Sequence, residues 1–250
     1  MIVRERSKDF VMIEQHHHAS ISGMLFTYLI EDFVPDLKWK DDIAFAIFQH
    51  DCGWVPFDKA PFWDDKGNAP YSFTSFPKEP KTVLYEIGIN TVEKQSLYAA
   101  LLCSKHYSSF LKRDSTPLAI NFIENEKNRQ ERLKKNIIGF SENQFNIHYE
   151  LLKFFDDLSL YICLNEPGVQ KDSEHPFFKS GISLPQYFGD GILHLNWISH
   201  NKLELETKLF QLDLPVQLEQ KVISKEDILK DGLQKTYRST QIEKVPFKIV

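Results

Sequence analysis

Three cysteines in 250 residues, none of them in a C-x-x-C pair, exclude a disulfide framework and a thiolate zinc finger. No apolar stretch approaches the roughly 20 residues of a membrane helix, and the first ten residues, MIVRERSKDF, lack a signal-peptide core. The basic surplus of a nucleic-acid binder is missing: the formal charge is -5 and the pI near 6.0, which disfavours nucleic acid as a partner. Ten glycines and 12 prolines are few, while 20 Phe, 9 Tyr and 4 Trp are many, so the chain is folded rather than disordered. Phosphate-loop, G-x-G-x-x-G, G-x-S-x-G, H-E-x-x-H and EF-hand motifs are all missing. These absences point to a cytoplasmic protein without a membrane partner, in a reducing compartment, whose chemistry rests on other residues.

What is present is histidine. There are nine, at 16, 17, 18, 50, 106, 148, 175, 194 and 200. The pair His50-Asp51 carries little weight alone, because 9 His and 17 Asp produce roughly 0.6 such pairs by chance. Helical periodicity carries more. Between Glu14 and Phe33 an apolar stripe of Ile21, Leu25 and Leu29 includes His18, with His17 at its edge and His16 facing away. Asp41-Asp42 caps a short apolar segment, Ile43 to Phe48, read as a buried helix or a core strand. A helix from about Val92 to Leu111 places His106 beside Ala99, Leu102, Cys103 and Phe110, and the charged run 118–138 reads as a solvated helix. In a helix from Ser141 to Leu164, opened by a Ser141/Gln144 capping box, Asp156 shares the face of Phe145, Tyr149, Leu152, Leu160 and Cys163. Its neighbour Asp157 sides with Asn146, Glu150 and Lys153; both stay candidate ligands, with Asp156 the one expected to be buried.

A buried carboxylate must be paired, protonated or bound to metal. His18, His50, Asp51, His106 and Asp156, delivered inward by separate helices, suit a divalent ion such as Mn, Fe, Ni, Zn or Mg, one or two per chain, with open positions for water or substrate. His148 also faces inward, but two helical turns from Asp156 it takes a core role, and His175, His194 and His200 lie in a tail and take none. Residues 51–81, with five prolines and Trp54, Phe57, Phe62 and Trp63, read as a long loop packed by its own aromatics. Lys105 and Arg113 read as solvated charges, and Cys52 and Cys103 as small buried side chains.

Past Asn165-Glu166-Pro167-Gly168 the pattern turns to strands, at 194–198, 203–206, 216–219 and 245–250, with one short helix capped by Ser224 and Asp227. The expected architecture is mainly α, a helical metal-binding domain at 1–168 with a small β-rich α+β region at 169–250 packed on it.

The order His18, His50-Asp51, Asp156-Asp157-Leu158-Ser159 on helices resembles the HD-domain superfamily of metal-dependent phosphohydrolases. Gln15-x-x-His18-Ala19 with Ser22-Gly23, His50-Asp51-x-Gly53-Trp54, Leu102-x-Ser104-x-His106 and Leu158-Ser159-Leu160 are similar to a bacterial HD-related family of unknown function. The resemblance implies an HD-like helical bundle and hydrolysis of a small phosphorylated substrate by metal-activated water. His18, His50, Asp51 and Asp156 would hold the first ion, and Asp51 and His106 would act in catalysis, His106 through a second ion or the substrate. Relatives that are di-iron oxygenases make an oxidase the alternative, and a non-catalytic ligand sensor is a third reading.

Overall fold

The computed structural model describes residues 1–35, 37–189, 191–210 and 213–250. In chain order the elements are β1 Ile2–Glu5, β2 Asp9–Ile13, α1 Gln15–Thr27, α2 Lys40–Gln49, α3 Val55–Lys59, a two-residue pair β3 Trp63–Asp64 and β4 Ala69–Pro70, α4 Lys78–Glu93, α5 Leu97–Leu111, α6 Pro117–Asn136 and α7 Glu142–Leu164. There follow β5 Ile182–Ser183, β6 Ile192–Leu193, β7 Leu195–Ser199, β8 Lys202–Leu205, β9 Leu214–Ser224, α8 Lys225–Asp231, α9 Leu233–Ser239 and β10 Glu243–Ile249. Among the described residues no helix is long and apolar enough to cross a membrane.

Helices α1, α2, α5 and α7 pack on one another, with α4 and α6 laid against α5. Gly23 permits the close approach of α1 and α2, since a Cβ there would enter the Phe48 ring. Local chemistry starts several helices. Ser96 Oγ accepts from Ala99 N at 3.0 Å, Thr116 caps α6 with Pro117 in its first turn, and Ser224 accepts from Asp227 N. Ser141 makes no side-chain cap bond, so the capping box expected there does not form.

The mainly α expectation is overturned by a six-stranded sheet in the order β1-β2-β9-β10-β8-β7, which makes the protein an α+β fold with substantial strand content. Its first two strands come from residues 2–13, far upstream of the expected boundary at 168. Register runs Ile2↔Ile13 to Glu5↔Phe10 between β1 and β2, and Asp9↔Ser224 to Met12↔Lys221 between β2 and β9. Phe10 to Ile13 are buried on both faces, so they read as a bare apolar run without the alternation that marks a strand. β9 is long enough to serve two partners, β2 through its second half and β10 through its first. Arg4, 8% exposed, fastens this sheet to the end of α7 by donating to the Asn165 carbonyl and to Gln220 Oε1 at 2.6 Å.

Two other expectations change. The helix expected from about Val92 is α5, which begins only at Leu97, and a separate helix α4 precedes it, starting at Lys78 within the last four residues assigned to the loop. Pro80 suggested loop, but as the third residue of α4 it sits where the backbone N–H has no helical partner to lose. The loop is correspondingly shorter, and Trp54, Phe57 and Phe76 cluster in it with ring centroids 4.4–5.9 Å apart.

Candidate metal centre

His18 on α1, His50 at the end of α2, Asp51 just after it, His106 on α5 and Asp156 on α7 meet at one place, all buried. Their donor atoms form two groups sharing His50, one of His18, His50 and Asp51 and one of His50, His106 and Asp156, each with ligand atoms within 4.8 Å of one another. His18 Nε2 is 2.8 Å from Asp51 Oδ2, His50 Nε2 3.3 Å from Asp156 Oδ1, and His106 Nε2 3.3 Å from Asp156 Oδ2.

The hydrogen bonds around these residues decide what their facing atoms are. His50 Nδ1 donates to the Ile47 carbonyl at 2.8 Å, an acceptor only, so in the neutral ring Nε2 is a bare lone pair, and it is buried without a hydrogen-bond partner. On His18, Nδ1 is engaged by Ser159 Oγ at 2.7 Å, and Ser159 in turn donates to the Asp156 carbonyl at 3.0 Å. Ser22 Oγ, 2.6 Å from Ser159 Oγ, completes this support. With both rings neutral, two imidazole lone pairs would confront two carboxylates in a dry place, and only a proton or a cation between them relieves the repulsion. Outer partners hold each ligand in orientation. Gln15 Nε2 donates to Asp51 Oδ2 at 2.8 Å, and Tyr107 Oη reaches Asp51 Oδ1 at 3.0 Å as well as the His50 carbonyl.

The electrostatics agree with the geometry. Burial pulls the His50 imidazolium down, but Asp51 and Asp156 outweigh it and raise the group to about 9. Burial opposes the charged forms of Asp51 and Asp156 too, yet the neighbouring histidines hold both carboxyls below the usual carboxylate range. The field at the centre therefore favours positive charge. A mixed imidazole and carboxylate donor set fits a divalent ion, and these buried groups could hold one.

The centre opens into a cleft of about 540 Å³ lined by Asp51, His106 and Asp156 on the cluster side and by Trp54, Tyr85 and Phe110 among its walls. Asp157 lines the same cleft, less buried than Asp156, its carboxyl pushed up to about 7 by burial and by the charge of Asp156. Asp156 is thus the residue that faces the histidines, and Asp157 is not in either donor group.

Four of the remaining histidines lie elsewhere. His148 is buried against the Tyr98 hydroxyl at 2.6 Å, His17 Nε2 accepts from Glu219 N at 2.9 Å, His200 Nδ1 bonds the Pro167 carbonyl, and His175 accepts from Phe177 N. Arg113 is exposed, and neither it nor Lys105 lines the cleft; the lysine that does is Lys81 on α4. Burial pushes the Cys52 thiol up to about 11 and the Cys103 thiol well above its ordinary value, so both are inert packed side chains. Sequence reasoning gave no role to Tyr107 or Lys81. It quoted Gln15, Ser22 and Ser159 without assigning them one, although the face test that found His18 and Asp156 reaches Ser22 and Ser159, four and three residues along the same helices.

No curated protein and no solved structure matches the chain. A family model described as a protein of unknown function (DUF3891) matches residues 1–225, and the chain belongs to that family.

Proposed function

We propose that the protein is a metal-dependent hydrolase that cleaves a phosphoester of a small molecule. The observation carrying this reading is the convergence of His50 Nε2, with no hydrogen-bond partner, on Asp51 and Asp156 beside His18 and His106, at the floor of a cleft of small-molecule size. The order of these residues is the one that resembles the HD superfamily. A divalent ion bound there would supply a Lewis acid for a phosphoryl oxygen and acidify a water. The chain supplies the rest: Ser159 fixes the His18 ring, Ile47 fixes His50, and Gln15 and Tyr107 hold Asp51, so the donors are oriented before any ligand arrives. His106 and Asp51 line the cleft and are the residues placed to meet substrate.

Elemental analysis of the purified protein, with phosphate release from 4-nitrophenyl phosphate and its bis-ester measured under Mn, Fe, Ni, Zn and Mg, tests the reading. One or two divalent ions per chain, lost in His50→Ala and Asp156→Ala together with turnover, are expected. Protein that is metal-free and takes up none of these ions on titration would overturn it. A second reading, a di-iron oxidase, draws on the two donor groups that share His50. Two irons per chain with oxygen consumption in place of phosphate release would select it.

A further inference from the structure

Among the described residues that line the cleft is one lysine, which the metal centre does not use. Lys81 lies one turn before Tyr85 on α4, and both line the cleft. Lys81 is half-buried and forms no ion pair among the described residues. What acts on its amine is burial and the like charge of Lys78, both pushing it down, and no carboxylate of the cleft offsets them. An unpaired cation in a cleft wall is costly unless an anion arrives to pair with it. The ion-pair partners of Asp51 and Asp156 are histidines, so Lys81 is not drawn into the cluster.

Aromatic side chains make up much of the rest of the cleft wall. The Tyr85 ring is stacked on Tyr107 at 4.1 Å and 19°, which sets its plane, and Phe110 packs edge-on against His106 at 4.6 Å while staying 53% exposed. Phe177 reaches the cleft from beyond residue 168 and is 60% exposed. Tyr85 itself is buried, so the aromatic surfaces left open at the cleft are Phe110 and Phe177, which gain free energy when an apolar group covers them.

We propose that the substrate carries a second anionic group, bound by Lys81, on an apolar body that lies against the exposed rings of Phe110 and Phe177 while its ester reaches the histidine–aspartate cluster. The proposal rests on the hydrolase reading for the position of the ester, but its test does not require turnover. The Mn-loaded full chain is titrated calorimetrically with 3- and 4-carboxyphenylphosphonate and with the matching carbamoylphenylphosphonates, which have the same shape without the second charge. At least one carboxylate probe binds about threefold to fivefold tighter than its carbamoyl partner, the scale of a partly exposed charge pair. Lys81→Met removes that difference while leaving the carbamoyl affinity in place, and Lys81→Arg restores it. Equal affinities for both probes in the unaltered protein, no binding of either, or equal weakening of both in Lys81→Met would overturn the proposal; the last would mean that Lys81 reads the phosphonate itself. The hydrolase reading fails separately, if the Lys81-dependent preference is present and the corresponding phosphate esters are not cleaved.

Discussion

Replacing Gly53 by alanine disturbs the candidate metal centre without touching a ligand. Gly53 follows Asp51 by two residues and lies against the backbone of α4. A Cβ built on it would enter the Leu84 carbonyl oxygen and stand 2.9 Å from Gly88 N and 3.0 Å from the Leu84 carbonyl carbon. From the other side, a Cβ on Gly88 would come within 3.2 Å of Gly53 N, so the two glycines form one backbone-to-backbone contact. Because the obstructing atoms are main chain, no side chain can swing aside; either α4 or the turn carrying Asp51 must move. Overpacking of this kind costs typically 1–3 kcal/mol, and a rigid backbone obstacle places Gly53→Ala near the upper end, about 3 kcal/mol. At this chain length that corresponds to a fall in Tm of roughly 6–12 °C. Thermal melts of Gly53→Ala and the unaltered protein, run with and without a saturating divalent ion, measure it. The destabilised variant also binds the ion more weakly, because Asp51 is displaced from the histidines. A variant that melts within 1 °C of the parent and holds metal equally well would refute the reasoning that this contact sets the distance of α4 from the site.

Three further outcomes follow from the same geometry. An ion present at a hundred times its dissociation constant contributes about 2.7 kcal/mol, so chelation lowers Tm by roughly 5–10 °C; no shift, in a protein shown to have carried metal beforehand, would contradict a site built into the helical core. Tyr107→Phe removes the hydroxyl beside Asp51 Oδ1 and the His50 carbonyl while keeping the ring stacked on Tyr85, and should weaken metal binding about tenfold; calorimetric titration showing unchanged affinity would count against its supporting role. Arg4→Ala leaves the Asn165 carbonyl and Gln220 Oε1 without a buried donor where the sheet meets α7, a loss of about 3 kcal/mol; a urea midpoint equal to that of the parent would show that the sheet is fastened by other contacts.

His18, His106 and Asp156 were legible because each lies on an apolar helical face, where a polar group needs a reason to be buried. Asp51 was not legible in that way: it sits in the turn after α2, and only its partner His50 and the resemblance drew attention to it. The roles of Gln15 and Tyr107 were not legible for a different reason. Both are ordinary helix residues in sequence, and their role comes from Asp51, 36 and 56 positions away. The strands β1 and β2 were hidden in the same manner. Residues 10–13 are apolar in succession, and their pairing partner is the far end of β9, some 210 residues downstream.

Local periodicity and composition therefore determined the principal helices of the body, which histidines face inward and which do not, and the imidazole and carboxylate character of the centre. These follow from the 3.6-residue repeat acting within single helices. Tertiary structure decided the six-stranded sheet that joins residues 2–13 to strands between Leu195 and Ile249, and the arrival of Lys81 and Tyr85 in the cleft wall. Those depend on pairing and close approach between distant segments, on the register of β2 against β9 and on the Gly53–Gly88 contact. No window of neighbouring residues contains that information, because it exists only once the segments are packed.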